Sequence, residues 1–226
     1  MTEVVVADRE VVVRCGDDRQ IQATHALLTV GRTPNTRDLG FEEAGVALDR
    51  GGYVEVDECL RTSAPSVYAV GDILGRYQTA YTASHEGAIA AENALGASRA
   101  VEYAVVPECI FTFPEIACVG LTEQQARGRG MSVGASRVPW SASGRAMTLD
   151  ETDGFLKVVY EATTQRLVGV QMIGPRATDL IAESALALKQ GLTLPAIVEV
   201  LHGHPTLAEA LWEASAQPLA QALYGR

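Results

Sequence analysis

Residues 155–191, FLKVVYEATTQRLVGVQMIGPRATDLIAESALALKQG, decide the fold of the second half of this chain. Two apolar runs at 155–160 and 167–173 are joined by a short polar turn, which predicts a pair of antiparallel strands. The segment 178–190 is rich in good helix formers and ends at Gly191, so it predicts a helix. Strands followed by a packed helix are typical of an α+β module.

Shorter signals on both sides extend this module. Apolar runs at 110–112 and 116–119 predict two further strands, and Thr122 begins a capping-box pattern that predicts a short helix. Downstream, Pro195 lies where the first turn of another helix is expected. The last helix is predicted to begin at Thr206.

The first half of the chain predicts short strands and one long helix. The Ala-rich run 79–95 ends at Gly96, which predicts a helix of several turns. A composition shift at 98–106 predicts a domain boundary. Strands are expected at 4–6, 11–14, 26–30, 53–56 and 66–70, and one helical turn at 41–45.

Composition narrows the class of protein. The 226 residues carry 18 Lys and Arg against 28 Asp and Glu, and the net charge of −10 disfavours a nucleic-acid partner. Hydrophobic residues make up 47%, which predicts a packed core. No apolar run reaches the ~18 residues of a membrane span, and the first ten residues do not resemble a signal peptide. We therefore expect a cytoplasmic protein with no membrane partner.

The four cysteines are far apart in sequence, at positions 15, 59, 109 and 118. Their spacing matches neither a zinc site nor a C-x-x-C redox motif, so no metal site is expected. They are interpreted as reduced, mostly buried thiols. Cys109 and Cys118 remain candidates to meet across neighbouring strands.

The segment 202–209, HGHPTLAE, is the strongest candidate for chemistry. His204 can exchange a proton near neutrality, and Glu209 can hold one imidazole nitrogen so that the other acts as a base. Alternatively, Thr206 and Glu209 form a capping box at the start of the last helix. A third interpretation pairs His202 with His204 on a metal, which requires a further ligand.

Two glycine-containing turns are weaker candidates. Gly71 and Asp72 follow an apolar run, which suits either a ligand at a strand end or a plain turn. The turn at 31–35, Gly-Arg-Thr-Pro-Asn, also follows an apolar run and is either a ligand-lining turn or a loop.

Taken in order, these segments resemble the pyridine nucleotide-disulphide oxidoreductases, and within them the dihydrolipoyl dehydrogenase branch. The resemblance implies an α/β chain, with a partial FAD/NAD(P)-binding Rossmann-like region followed by an α+β dimerisation domain. Residues 1–36 would be the last strands of the NAD-binding domain, 37–104 the second segment of the FAD-binding domain, and 105–226 the dimerisation domain. The segments that carry the resemblance are 31–35, 43–46, 62–72, 85–87, 114–120, 141–146, 154–157, 169–174 and 202–209.

The resemblance also implies contacts with two cofactors. Asp72, with Gly71, would bind the ribityl part of FAD or the part next to it. Thr79 and Ala80 would bring the start of a helix to the flavin ring, where the helix dipole stabilises negative charge. Gly31 would contact the nicotinamide nucleotide, NAD in the dehydrogenase branch.

For the tail, the resemblance favours catalysis over capping. His204 would accept a proton from the substrate dithiol, and Glu209 would orient it. The reaction of the branch oxidises dihydrolipoamide and reduces NAD, with a dihydrolipoyl group or the lipoyl domain of a dehydrogenase complex as partner. The tail base of such enzymes serves the other subunit, so a homodimer is implied.

The chain also departs from the family pattern. The redox cysteine pair and the Gly-rich FAD fingerprint of the family are not among these residues, and Tyr81 stands where the branch often has His. We therefore expect a C-terminal portion with incomplete FAD and NAD sites, inactive alone. Alternatives are a mercuric or glutathione reductase-like member, a non-enzymatic dimerisation module, and one half of a split enzyme. Mercuric reductases typically end in a cysteine pair, whereas 223–226 reads LYGR.

Overall fold

The computed structural model describes residues 2–7 and 10–224. Of residues 223–226, which were compared with the cysteine pair of mercuric reductases, the last two lie outside the described part. The chain divides into two compact units, Met1–Ala100 and Val101–Arg226. Both contain strands and helices, and the predicted α/β class is confirmed as a mixed α and β chain.

The first unit begins with a three-stranded antiparallel sheet in the order β1-β2-β3. Valine-rich runs form β1 (Glu3–Ala7) and β2 (Glu10–Arg14), which pair with Val5 opposite Val12. Branched side chains suit extended backbone, so these two strands were predictable from local sequence. The third strand, β3 (Gln20–Ala23), pairs with β2.

The prediction of a strand at 26–30 is wrong. These residues have no regular structure, and Leu27 is 90% exposed. An extended run becomes a strand only when another strand satisfies its backbone hydrogen bonds. Among the described residues no strand pairs with this segment.

The strands predicted at 53–56 and 66–70 are reduced to isolated bridges, including one between Arg61 and Tyr68. A tight turn explains why no strand forms at 66–70, because the Val67 amide donates to the Ala64 carbonyl at 2.9 Å. That hydrogen bond bends the backbone where the strand was expected to begin. The helical turn expected at 41–45 is present as a turn.

A long helix, α1 (Ala80–Ala94), follows a 3-10 turn at Gly71–Leu74. The prediction of a helix at 79–95 is confirmed, with Thr79 as N-cap and Leu95 as C-cap. One face is buried with helical spacing, and its members are Thr82, Glu86, Ile89, Ala90 and Asn93.

The second unit contains a five-stranded antiparallel sheet in the order β4-β5-β8-β7-β6. The strands are β4 (Glu108–Ile110), β5 (Glu115–Gly120), β6 (Val133–Pro139), β7 (Phe155–Glu161) and β8 (Leu167–Gly174). The helices are α2 (Glu123–Gly128), α3 (Gly144–Leu149), α4 (Ala177–Lys189), α5 (Leu194–Val198) and α6 (Glu209–Tyr224).

Two helices cover this sheet and carry the elements of the site. Helix α4 packs on β5 and β8, while α6 packs on β6, β7 and the short helix α5. Their apolar faces close a core that includes Trp140, Leu156 and Ile181, all almost fully buried. The antiparallel pair, the helix after it and the capping box at Thr122 are confirmed.

Cys109 and Cys118 do not form a disulfide. In the β4–β5 pair, Cys109 lies opposite Ala117, while Cys118 lies opposite Glu108. Residues that are paired across strands share a face and successive residues alternate, so the two thiols point to opposite faces of the sheet. None of the helices in the described part of the chain is long and apolar enough to cross a membrane.

Candidate active site

A loop at 199–208 joins α5 to α6 and carries His204 at its exposed end. The His204 Nδ1 atom lies 2.8 Å from Oε1 of Glu209, the first residue of α6. The imidazole is 78% exposed, whereas the Glu209 side chain is mostly covered. The predicted pair is therefore brought together, with the carboxylate fixed on a helix and the ring facing outward.

The same carboxylate also caps the chain entry into α6. Its Oε2 accepts a hydrogen bond from the Thr206 amide at 2.6 Å, which is one half of a capping box. The other half, in which the Thr206 hydroxyl would accept from the helix, is not formed, and this hydroxyl donates to the Gly203 carbonyl at 2.7 Å. The sequence predicts a helix start at Thr206, whereas the helix begins at Glu209. Capping and orientation of the histidine coexist because a carboxylate has two oxygens.

These hydrogen bonds set the proton positions of the pair. They lower the pKa of Glu209, the Thr206 amide most and the His204 ring next. An ionised carboxylate only accepts, so Nδ1 of His204 must carry the hydrogen of that bond. The neutral ring then keeps a lone pair on Nε2, at an exposed position. This arrangement is able to remove a proton from a bound substrate.

The second histidine of the motif is in a different environment. The His202 side chain is only 7% exposed, and its Nε2 atom lies 2.9 Å from Oε1 of Glu183 on α4. Its Nδ1 atom lies 3.0 Å from the Val200 carbonyl. Both ring nitrogens are thus engaged by protein groups. In the described part of the chain, no group of three or more His, Cys, Asp or Glu side chains is placed to hold a metal ion.

In the first unit, the predicted Gly71–Asp72 turn is held by a residue that the sequence analysis did not assign. The Gly71 amide donates to Oε2 of Glu86 at 2.6 Å, and this glutamate is 1% exposed. Gly71 has φ of 80°, and a Cβ there would lie 3.1 Å from Cβ of Ala83. Positive φ and close packing together favour glycine at this position.

Asp72 and the turn at 31–35 are joined by an ion pair. Oδ2 of Asp72 lies 2.8 Å from Nη1 of Arg32, and both side chains are about half exposed. The hydroxyl of Tyr53 also donates to the Arg32 carbonyl at 3.2 Å. Gly31, the residue before Arg32, has φ of 149° and is exposed. The predicted cofactor segments at 31–35 and 71–72 are therefore adjacent. Arg32 connects them, and the sequence analysis did not assign it a role.

The start of α1 suits a negatively charged ligand. Thr79 makes no side-chain cap, because its hydroxyl pairs with the Thr82 hydroxyl at 2.7 Å. The first turn contains no acidic residue, and Ala80 is exposed. The positive end of the helix dipole is thus not neutralised by a side chain of the helix. Together with the half-exposed carboxylate of Asp72, these residues fit the predicted flavin contacts.

Comparison with known families gives two matches. The family described as "Pyridine nucleotide-disulphide oxidoreductase" matches residues 1–87. The "Pyridine nucleotide-disulphide oxidoreductase, dimerisation domain" matches residues 106–215.

Individual relatives agree with these matches. The chain is 44% identical over 200 residues to the dihydrolipoyl dehydrogenase of Geobacillus stearothermophilus, covering 88% of this chain and 43% of that protein. It is also 44% identical over 209 residues to the dihydrolipoyl dehydrogenase of Thermus scotoductus, covering 92% of this chain and 45% of that protein.

Solved structures are similar as well. LpdA from Mycobacterium tuberculosis superimposes with a TM-score of 0.87 at 31% identity, covering 96% of this chain and 48% of that one. The HOCl-induced flavoprotein disulfide reductase RclA from Escherichia coli has a TM-score of 0.88 at 28% identity, covering 95% and 49%. The chain spans less than half the length of these relatives. Since both family matches agree and together cover most of its residues, the chain belongs to the pyridine nucleotide-disulphide oxidoreductase family, as its sequence predicts.

Proposed function

We propose that this chain is the C-terminal portion of a flavin-dependent dihydrolipoyl dehydrogenase, which converts dihydrolipoamide and NAD to lipoamide and NADH. The observation that carries the proposal is the His204–Glu209 pair, with an exposed ring and a covered carboxylate. Relatives at 44% identity that bear this enzyme name support the choice of branch.

In the proposed reaction, His204 acts on the thiol protons. A free thiol is a weak nucleophile until it loses its proton, so a base beside the dithiol accelerates its attack on a disulfide. Nε2 of His204 takes that proton, and the resulting imidazolium is stabilised by the ionised Glu209. The Thr206 amide holds Glu209 in place, and so fixes the direction of the ring.

We assign the cofactor contacts to the first unit. Asp72 and Gly71 would bind the ribityl region of FAD, and Thr79 and Ala80 would face the flavin ring. Gly31 would contact NAD. FAD, when bound, supplies a two-electron carrier between the dithiol and NAD. The half-exposed Asp72 carboxylate and the helix start without a side-chain cap support this assignment.

We further propose the division of the chain and its assembly. Residues 1–36 belong to an NAD-binding domain, 37–104 to an FAD-binding domain and 105–226 to the dimerisation domain of a homodimer. A lipoyl domain of a dehydrogenase complex is the proposed macromolecular partner. The four free cysteines suit a reducing compartment, and we place the protein in the cytoplasm.

These 226 residues contain no close cysteine pair to serve as the redox disulfide. We therefore propose that they do not oxidise dihydrolipoamide by themselves. NAD-dependent oxidation of dihydrolipoamide by the purified chain, followed as NADH absorbance, would contradict this part of the proposal.

A chimera tests the role of the base. Residues of this chain replace the matching segment of the Geobacillus stearothermophilus dihydrolipoyl dehydrogenase, and turnover is compared between parent and variants. We expect His204→Gln to lower kcat by about 10²- to 10⁴-fold, the usual contribution of a positioned base. His25→Gln is the matched control, since His25 is exposed and bonds only its neighbour Thr24. Full turnover in the His204→Gln chimera would refute the proposal.

A further inference from the structure

His202 differs from His204 in the burial of its side chain and in the number of ring nitrogens that are engaged. The side chain is almost fully buried, and each ring nitrogen faces one oxygen atom. Nδ1 faces the Val200 carbonyl of its own loop at 3.0 Å, and Nε2 faces Glu183 of α4 at 2.9 Å. A buried imidazole needs partners for its ring nitrogens, and these two oxygens supply them.

The two contacts fix the orientation of the His202 ring. A carbonyl oxygen only accepts, so Nδ1 carries the hydrogen of its bond to the Val200 carbonyl. Nε2 and the Glu183 carboxyl form the second hydrogen bond, at an ion-pair distance. Because both nitrogens are engaged, the ring is held in one orientation.

The position of His202 gives this ion pair a mechanical consequence. Glu183 belongs to α4, whose neighbours Ile181 and Ser184 are buried, so its backbone is anchored in the unit. The start of the loop is tied to α6 by Trp212, whose Nε1 donates to the Val198 carbonyl at 2.9 Å. Thr206 and Glu209 tie its end. The His202–Glu183 pair is therefore the middle attachment of the loop that carries the base.

We propose that His202 is a positioning residue for the His204–Glu209 base, acting through its ion pair with Glu183. By holding the loop on α4, it keeps the His204 ring at the distance and angle at which Glu209 selects a single tautomer. Two carboxylates act on the His202 ring, Glu183 from α4 and Glu209 from α6. The importance of His202 for turnover rests on the proposed function, whereas the effect of His202 on the His204 tautomer does not.

The tautomer is measured first, on the whole 226-residue chain, by ¹⁵N NMR of the imidazole nitrogens. In the wild type we expect neutral His204 to be mainly the Nδ1–H form. Glu183→Gln keeps a hydrogen-bonding partner for Nε2 of His202 and should leave that tautomer in place. Glu183→Ala removes the partner and should give a mixture of His204 tautomers, although Glu209 is intact.

The matched control is Glu123→Gln. Glu123 is an ion-paired glutamate of the same unit, bound to Lys157 at 2.6 Å, and lies on α2. This control should leave both histidines unchanged. An unchanged His204 tautomer in Glu183→Ala would overturn the proposal even if every variant folds.

Turnover of the chimera is the second readout. Glu183→Ala should lower kcat by about 10- to 100-fold, the usual effect of a slight displacement of a catalytic group, with KM for NAD unchanged. In the His204→Gln background the same substitution should add nothing, because no base remains to be positioned. A further loss in that background would overturn the positioning role. Full activity of His204→Gln alone would instead refute the proposed function and leave the NMR result to decide the ion pair.

Discussion

Glu86 offers the sharpest test of how the first unit is held together. Its buried carboxylate accepts from the Gly71 amide at 2.6 Å, and Gly71 is itself buried. Glu86→Met keeps the length of the side chain but removes the acceptor. The Gly71 N–H is then left without a partner, which costs about 1–3 kcal/mol. Glu86→Gln keeps a carbonyl oxygen that can accept the same hydrogen bond, so it should cost less than Glu86→Met.

The assay must report on the first unit alone. The two tryptophans, Trp140 and Trp212, lie in the second unit, so their fluorescence does not serve. Hydrogen exchange of the Ile89 and Ala90 amides of α1 reports on the first unit, because these residues lie on the same buried face as Glu86. A loss of about 1–3 kcal/mol corresponds to exchange that is roughly 5- to 150-fold faster.

Glu92→Gln is the control for this experiment. Glu92 lies on the same helix but is exposed and pairs with Arg99 at 3.0 Å, so its removal should cost at most about 1 kcal/mol. We expect exchange of these amides to be fastest in Glu86→Met, slower in Glu86→Gln and slowest in the wild type. Equal protection in Glu86→Met and wild type would refute the idea that this carboxylate holds the turn of Asp72.

Three further predictions concern the second unit. The hydrogen bonds to Glu209 lower its pKa, so they stabilise the fold above pH 4.5 and this contribution is lost as the pH falls through the lowered pKa. Urea unfolding followed by tryptophan fluorescence should therefore show a smaller acid-side loss of stability in Glu209→Gln than in wild type. Burial and Glu108 raise the pKa of Cys118 to about 11 from 9.0. At pH 8 this raised pKa makes the thiolate fraction of Cys118 about 100-fold smaller than that of a thiol with a pKa of 9.0. Labelling of Cys118 by iodoacetamide, measured by mass spectrometry, should therefore be slower than labelling of Cys15. Thr122→Ala removes a complete capping box and should lower the unfolding free energy by about 1 kcal/mol in urea.

The elements predicted correctly are those specified by neighbours in sequence. The β7–β8 pair needs only two apolar runs and a polar turn, and α4 needs only a periodic apolar face and Gly191. In contrast, the run at 26–30 has strand-like composition but no partner strand among the described residues. Strand formation depends on a distant partner, which local composition does not identify.

The same distinction separates the site residues that were assigned from those that were missed. His204 and Glu209 are five residues apart, within reach of a motif. The residues that position the sites act over greater separations. Arg32 bonds Asp72 across 40 residues, and Glu183 bonds His202 across 19. Nothing in the sequence near Arg32 or Glu183 marks the partner, so only the folded chain reveals these contacts.

Glu209 shows why a structural and a catalytic interpretation of one motif need not exclude each other. Capping uses Oε2 and orientation of His204 uses Oε1, so one side chain meets both requirements at once. The cap also serves the chemistry, because the Thr206 amide is the largest influence that lowers the pKa of Glu209 and keeps it an acceptor. A glutamine here would retain an acceptor for the amide but could turn its NH₂ group toward the ring. The tautomer of His204 would then no longer be selected, so the proposed proton transfer requires a carboxylate at this position, whereas the fold requires only an acceptor.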